Sequence, residues 1–500
     1  MDDPTATTLS RRQILTTFAG LLLAMLLASL DQTIVATALP TIVGDLGGLD
    51  HLSWVVTAYL LGATVSMPLW GRISDLYGRK QLFQAAIVVF LAGSALSGLA
   101  GTLGELIGFR ALQGLGAGGL MTLAMAIVAD IIPPRERGRY QGYIQMVFVV
   151  ASVAGPLLGG VLVDNLSWRW VFYVNLPIGA VALAVITTSL HLPAERRPAR
   201  IDYAGAALLA AALTCILLVT TWGGREYAWN SAEVLGLGAA GLALLAAFVA
   251  QERRAAEPIL PLRLFREPVF VVVAAALFLT TLAFFAAIVF VPVFLQIVTG
   301  ASATRSGVLL LPLLLAATAS TTISGRIISR TGRYKAFPVA GLAVMAIGLF
   351  LLSTMDAETS RVTASGFLVI FGTGFGMVSQ VLMLAIQNAV ERRDLGITTA
   401  SANLFRSLGG AVGVAVFGAI FADRLDVWLP REVPAASGRV DAQALQSTPE
   451  ALRALPASLY DGIANAVAHS LETVFLVAAP VAAAGVLVVL MLRERPLASR

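Results

Sequence analysis

The sequence predicts an all-α integral membrane protein of fourteen transmembrane helices arranged 6 + 2 + 6. Three observations carry this: the composition, the count of apolar runs and an internal repeat. Of 500 residues, 58% are hydrophobic and 13% charged, and the mean hydropathy is +0.84. Soluble chains carry about 25% charged residues. A chain this poor in charge cannot cover its own surface with polar groups, so its solvent is lipid and a soluble enzyme is excluded. The single Cys215 leaves no disulfide framework within the chain, and the scattered His51, His191 and His469 form no zinc pattern. The net charge of +5 does not point to nucleic acid, because the basic residues sit in short loops between apolar runs.

A membrane helix needs about 20 mostly apolar residues. Fourteen runs meet that need: 13–39, 53–73, 82–101, 104–130, 140–163, 168–190, 203–222, 231–250, 269–298, 304–327, 336–354, 362–388, 395–421 and 465–492. The long connection 422–464, with four prolines and mixed charge, is expected outside the bilayer. With both termini placed in the cytoplasm, 24 of the 34 Lys and Arg residues fall in inside segments and 8 in outside segments. Arg110 and Arg406 fall within spans. Positive charge favours the cytoplasmic side, so this asymmetry supports both the helix count and the orientation. The start SRRQIL at 10–15 resembles a twin-arginine export signal. No small-residue cleavage site follows, and it reads instead as an anchor for the first span. Lys80 and Lys335 are the only lysines. That bias suggests a GC-rich bacterial genome and hence a bacterial plasma membrane.

The repeat sets the architecture. GRISDLYGRK at 71–80 and GRIISRTGRYK at 325–335 match at Gly71, Arg72, Ile73, Gly78 and Arg79 against Gly325, Arg326, Ile327, Gly332 and Arg333. Both follow an even-numbered span on the inside, as expected for two related halves. The expected units are a six-helix bundle over 1–192, an inserted two-helix hairpin with flanking linkers over 193–268, and a second six-helix bundle over 269–500.

The loop pattern Gly-x-x-x-Asp-x-x-Gly-Arg-Lys resembles the signature of the major facilitator superfamily. The 6 + 2 + 6 layout, LDQTIVATALP at 30–40 and WRWVFYVNLPIG at 168–179 resemble its fourteen-helix drug:proton antiporters of the EmrB/QacA type. The resemblance spans almost the whole chain. It implies a major facilitator fold and a monomer that exports small lipophilic, cationic drugs in exchange for protons. No cofactor is expected, since no Walker pattern is present and no soluble domain exists to carry one. A dedicated exporter of one endogenous lipid, siderophore or antibiotic stays open, as does a non-transporting membrane sensor on the same scaffold.

Candidate residues follow, each beside a plainer reading. Asp31 lies deep in the first span, where a charge costs roughly 2.5–3.5 kcal/mol on insertion scales and persists only if paired, wet or protonated. Arg110 lies at similar depth in the fourth span. Asp31 and Arg110 are the expected proton-coupling pair, and the resemblance brings their helices together along the cavity. An Arg-x-x-Gln-Gly pattern (Arg110, Gln113, Gly114) is linked to proton transfer in the family. The plain alternative is a permanent ion pair. Gly114, Gly116 and Gly119 fit a dinucleotide fingerprint, but no strand precedes them, so close helix packing is the better reading.

Asp75 is placed to accept hydrogen bonds from a neighbouring helix N-terminus, and Arg79 to pair with Asp130. The resemblance makes Gly71, Asp75, Gly78, Arg79, Lys80 and Asp130 a latch for the outward-open state; positive-inside anchoring alone is the plainer reading. The second copy has Ser329 in place of Asp75 and a weaker latch is expected there. Gly155, Pro156, Gly159 and Gly160 form the bent, closely packed helix that the family associates with antiporters; an ordinary kink is the alternative. His469 and Glu472 share a helix face, as a proton entry relay or as interfacial polar residues. Gln113, Gln145, Gln296, Asn388 and Asn403 are expected to line a substrate cavity. Arg406, at mid-depth without an obvious carboxylate partner, is left with backbone carbonyls, a phosphate-like headgroup or an anionic substrate group as possible contacts.

Overall fold

A computed structural model describes residues 10–46, 52–190, 202–224, 226–255, 258–301, 303–391, 394–433, 456–495 and 497. They fold almost wholly into helices, and among them the only β pairing is one isolated bridge between Gly223 and Tyr227. In chain order these are α1 Arg11–Leu46, α2 Leu52–Tyr77, α3 Arg79–Leu99, α4 Leu103–Ile131, α5 Pro134–Asn165, α6 Trp170–Tyr173 and α7 Asn175–Ser189. There follow α8 Tyr203–Trp222, α9 Ala232–Glu252, α10 Pro268–Val293, α11 Ala303–Thr331, α12 Ala336–Leu352, α13 Arg361–Asn388, α14 Leu395–Glu432 and α15 Ala457–Leu490. Among the described residues, thirteen stretches are long and apolar enough to cross a membrane, and the 17-residue α12 is a shorter apolar helix. A chain with this many spanning helices is a multi-pass membrane protein.

Local chemistry sets the helix ends. The side chains of Thr102, Asp202, Ser231 and Ser360 accept hydrogen bonds from Glu105, Gly205, Val234 and Thr363 amides, capping α4, α8, α9 and α13. Pro134 and Pro268 open α5 and α10, where no amide donor is missed. Gly78 breaks α2 from α3 at φ 97°, and its repeat mate Gly332 ends α11 at φ 71°. A side chain is disfavoured there, so the two matched glycines form the same turn.

Two boundaries differ from the sequence expectation. The span 168–190 is interrupted at Val174, giving α6 and α7. The connection expected at 422–464 is shorter: α14 continues through Pro430 to Glu432, and α15 begins at Ala457. The helical pattern persists there because Leu425 and Leu429 stay buried. Residues 434–455 lie outside the described residues, as does the expected boundary at 192–193.

The repeat extends far beyond its loop. Gly114 and Gly118 on α4 sit against Tyr59 and Ala63 on α2; Gly372 and Gly376 on α13 sit against Leu313 and Ala317 on α11. Gly116 abuts Phe90 on α3, and Gly374 abuts Met345 on α12. Each pair is related by the same constant shift in its helix. Small residues let backbones approach closely and give van der Waals contact in lipid, where no hydrophobic force joins helices.

Across the two repeats, α5 packs on α11 and α2 on α14. Gly138 meets Gly325, and Gly142 meets Thr322; Gly71 meets Gly396 and Ala400. These crossings are also repeat-related, and both lie at the end of the bundle where α1 begins and α2 ends, here called the basic end. The α8–α9 hairpin packs on itself, with α8 touching α2 and α14.

Candidate functional site

The site is built on α1, α4 and the break between α6 and α7. The break sets Asn175 at the start of α7, facing α1 and α3. Arg110 Nη1 lies 2.6 Å from Asp31 Oδ2. Gln113 Nε2 and Asn175 Nδ2 donate to Asp31 Oδ1 at 2.9 and 2.8 Å. Arg110 Nη1 also donates to Gln113 Oε1 at 2.7 Å. Asn175 donates further to Ser94 Oγ, whose hydroxyl donates to the Phe172 carbonyl. The Arg110 guanidinium lies 4.2 Å from the Tyr59 ring centroid, a cation–π contact, and the Tyr59 hydroxyl donates to the Ala28 carbonyl. Asp31 and Arg110 are 0% and 1% exposed, and Gln113, Asn175, Ser94 and Tyr59 are wholly buried.

The chemistry of this centre follows from its donor count. Ionised Asp31 is acceptor-only, and three donors point at its two oxygens. A proton on either oxygen sets a donor against donors and removes the attraction to Arg110. Among the described residues, Arg110 Nε and Asn175 Oδ1 have no hydrogen-bond partner.

The structure brings Asp31, Arg110 and Gln113 together, and so places Gln113 in the charged network with both ends of its amide engaged. It adds Asn175, Ser94 and Tyr59, which spacing along the sequence does not reveal. The signals for Asn175 were a lone amide inside an apolar run and its place within WRWVFYVNLPIG. Through the repeat, Arg110 and Gln113 correspond to Leu368 and Phe371. The seating of Gly155 on Thr33 and of Gly413 on Leu282 matches Asp31 to Thr280. The second half thus holds no copy of the charged centre.

At the basic end, Asp75 Oδ1 and Oδ2 accept from the Gly396 and Ile397 amides of α14 at 3.0 and 2.9 Å. Arg79 Nη2 pairs with Asp75 at 3.0 Å, and its Nε pairs with Asp130. Lys80 Nζ donates to the Thr187 carbonyl at 2.8 Å, tying the turn to α7. The first turn of α14 exposes free amides, and an anion is favoured there. In the second copy, Ser329 bonds, among the described residues, back to Gly325 of its own helix.

The other candidates scatter. Gly155 and Gly159 on α5 press on Thr33 and Thr37 of α1, with no room for a Cβ. A Cβ at Gly160 would meet nothing within 4 Å, which corrects its expected close-packing role, and Pro156 is exposed. Gln145 is buried on α5. Gln296 is half-buried in a π-helical stretch, Phe294–Val298, near the end opposite the basic one. Asn388 is corrected: it stands at the basic end and donates to the Arg495 carbonyl at 3.2 Å, away from mid-membrane. His469 Nδ1 lies 3.6 Å from Glu472 Oε2, both substantially exposed, with the imidazole stacked on Trp428. Asn403 is wholly buried, with neither polar end bonded among the described residues. Arg406, one turn on, is half-buried.

The profile of the Major Facilitator Superfamily matches residues 21–414. An uncharacterised MFS-type transporter of Mycobacterium tuberculosis is 45% identical over 97% of this chain and 70% of its own length. The multidrug transporter protein MdtP of Bacillus subtilis is 36% identical over 98% of this chain and 95% of its own. The solved structure of the proton:xylose symporter XylE superposes with a TM-score of 0.61 at 15% identity, covering 94% of this chain and 95% of that one. That likeness is one of fold.

Proposed function

Since the chain belongs to the major facilitator superfamily, we propose that it is a proton-coupled antiporter of the fourteen-helix drug-exporting branch. It expels hydrophobic, cationic compounds across a bacterial plasma membrane, as a monomer with both termini in the cytoplasm. Its relatives include a multidrug transporter that it matches over nearly its whole length. It is a transporter by family and fold, not an enzyme.

The observation that carries the coupling is the buried Asp31–Arg110 pair with Gln113 and Asn175. In this reading a proton arriving at Asp31 releases Arg110, and its departure restores the pair. The bundles 1–192 and 269–500 rock about the centre, opening each side in turn. The glycine crossings and Asp75 at the basic end belong to the state open on the other side. Gln145, Gln296 and Asn403 contribute polar groups to the cavity in this reading, and His469 with Glu472 a proton entry. One charge moving through 100 mV supplies ~2.3 kcal/mol. At ~1.4 kcal/mol per decade, 150 mV sustains a gradient of roughly 300-fold.

The test is Asp31→Asn in proteoliposomes carrying a pH gradient. The expected result is loss of dye-dependent gradient dissipation, with dye binding retained. Undiminished, pH-dependent transport by the variant ends the coupling role. A growth assay over many compounds separates multidrug export from a dedicated exporter, which protects against one compound alone.

A further inference from the structure

The two arginines inside the spans are treated differently. Arg110 is matched by a carboxylate, an amide and two aromatic rings. Arg406 has no ion pair and no hydrogen bond among the described residues. It lies eleven residues into α14, about 16 Å from the basic end at 1.5 Å per residue, close to the middle of a ~30 Å apolar core. Asn403, one turn before, is wholly buried with both its amide oxygen and its amide nitrogen unbonded. The helices packed on α14 bring no acidic residue to this depth: Asp75 of α2 and Asp130 of α4 lie at the basic end, Glu105 of α4 and Asp461 and Glu472 of α15 lie toward the opposite end, and α8, α10 and α13 carry none within their spans.

This turn of α14 lies at the seam between the halves. Gly396 and Ala400 contact Gly71 of α2, and Ser407 Oγ lies 4.0 Å from Met67 Sδ, one turn farther from the basic end. Through the repeat, Asn403 and Arg406 correspond to Gln145 and Phe148 on α5. The position is therefore one that the scaffold fills with an apolar ring in one half and a cation in the other. A cation and an amide left unmatched at mid-membrane are costly unless something else supplies the acceptors. A guanidinium presents a planar fork that matches a carboxylate bidentately, and it stays charged.

We infer that Arg406, with Asn403 beside it, is an anion subsite that receives a carboxylate of the transported molecule. The inference rests on the export reading above and narrows its cargo to lipophilic molecules that carry an acidic group beside their cationic centre. Arg406 engages the acid at the seam while the Asp31 centre handles the proton. A phospholipid phosphate offers related chemistry, and the experiment separates the two sources.

The full-length protein in phosphatidylcholine nanodiscs is titrated with two probes, a cationic rhodamine ethyl ester and the same dye as its free carboxylic acid. Binding is read by fluorescence anisotropy. Arg406→Gln is expected to weaken the free-acid dye by about tenfold or more, the scale of a charged hydrogen bond, and the ester by less than about twofold. Arg406→Lys is expected to recover part of the loss. The same ratio is expected in phosphatidylglycerol nanodiscs. Equal weakening of both dyes, or of neither, overturns the inference and leaves the export reading standing. So does a wild-type preference for the free acid that phosphatidylglycerol abolishes, since the headgroup then owns Arg406. Failure of the wild-type protein to bind either dye removes the export reading and the inference together.

Discussion

Asn175 shows how a buried amide holds a charge in place. It donates to Asp31 and to Ser94, and nothing else in that corner replaces it. Asn175→Leu leaves one oxygen of Asp31 with a single amide donor. A hydrogen bond to a charged group is worth about 1.5–3 kcal/mol. The expected outcome is a lower melting temperature in detergent, with Asn175→Gln less affected, measured by dye-free thermal unfolding. A second residue-scale prediction lies outside the apolar spans. Asp45 accepts from Trp168 Nε1 at 2.8 Å and from Arg169 at 3.2 Å. The Trp168 hydrogen bond first, then Arg169, holds its carboxyl below the usual carboxylate range. A depressed acid stabilises the fold above its unfolded pKa, and that contribution disappears as pH falls through the folded one. Asp45→Asn is therefore expected to lower the melting temperature slightly at pH 7. The gap between variant and parent is expected to close as pH drops below about 4.

Among the elements, the turn between α2 and α3 is the clearest case of motif becoming geometry. Asp75 holds two α14 amides and Arg79, so Asp75→Asn removes a charged acceptor from the basic end. Hydrogen bonds to charged groups are worth about 1.5–3 kcal/mol, enough to shift a two-state population roughly 10- to 150-fold. The prediction is a longer distance between spin labels at Tyr77, at the end of α2, and Glu391, just ahead of α14, both exposed, in a Cys215→Ser background, read by double electron–electron resonance. An unchanged distance distribution counts against a latch. Much of this was legible in the sequence, because the acid, the glycines and their spacing lie within ten residues of one another. The spans were legible too, since each is a local run of apolar residues. The break at Val174 and the continuation of α14 to Glu432 were not. They depend on which side chains become buried by packing, as Leu425 and Leu429 do.

At the scale of the whole molecule, a repeat first visible in one loop governs the packing of eight helix pairs in four matched couples. Its asymmetries mark the chemistry. Asp31 and Arg110 have the counterparts Thr280 and Leu368, and Arg406 has Phe148. Composition and hydropathy cannot reveal that pairing, because the partners lie 79 and 144 residues apart in sequence and meet only after folding. The candidate residues that the structure disperses, Asn388 and Gln296 among them, show the converse: polarity within a run does not specify depth. The two glycine crossings at the basic end are mates under the repeat, yet among the described residues only one is bolted by a carboxylate. Seams of equal shape and unequal strength do not part together. In the proposed cycle the α5–α11 side is therefore expected to yield first and the α2–α14 side last, so that the molecule unfastens from one flank, like a door swinging on the jamb that still holds.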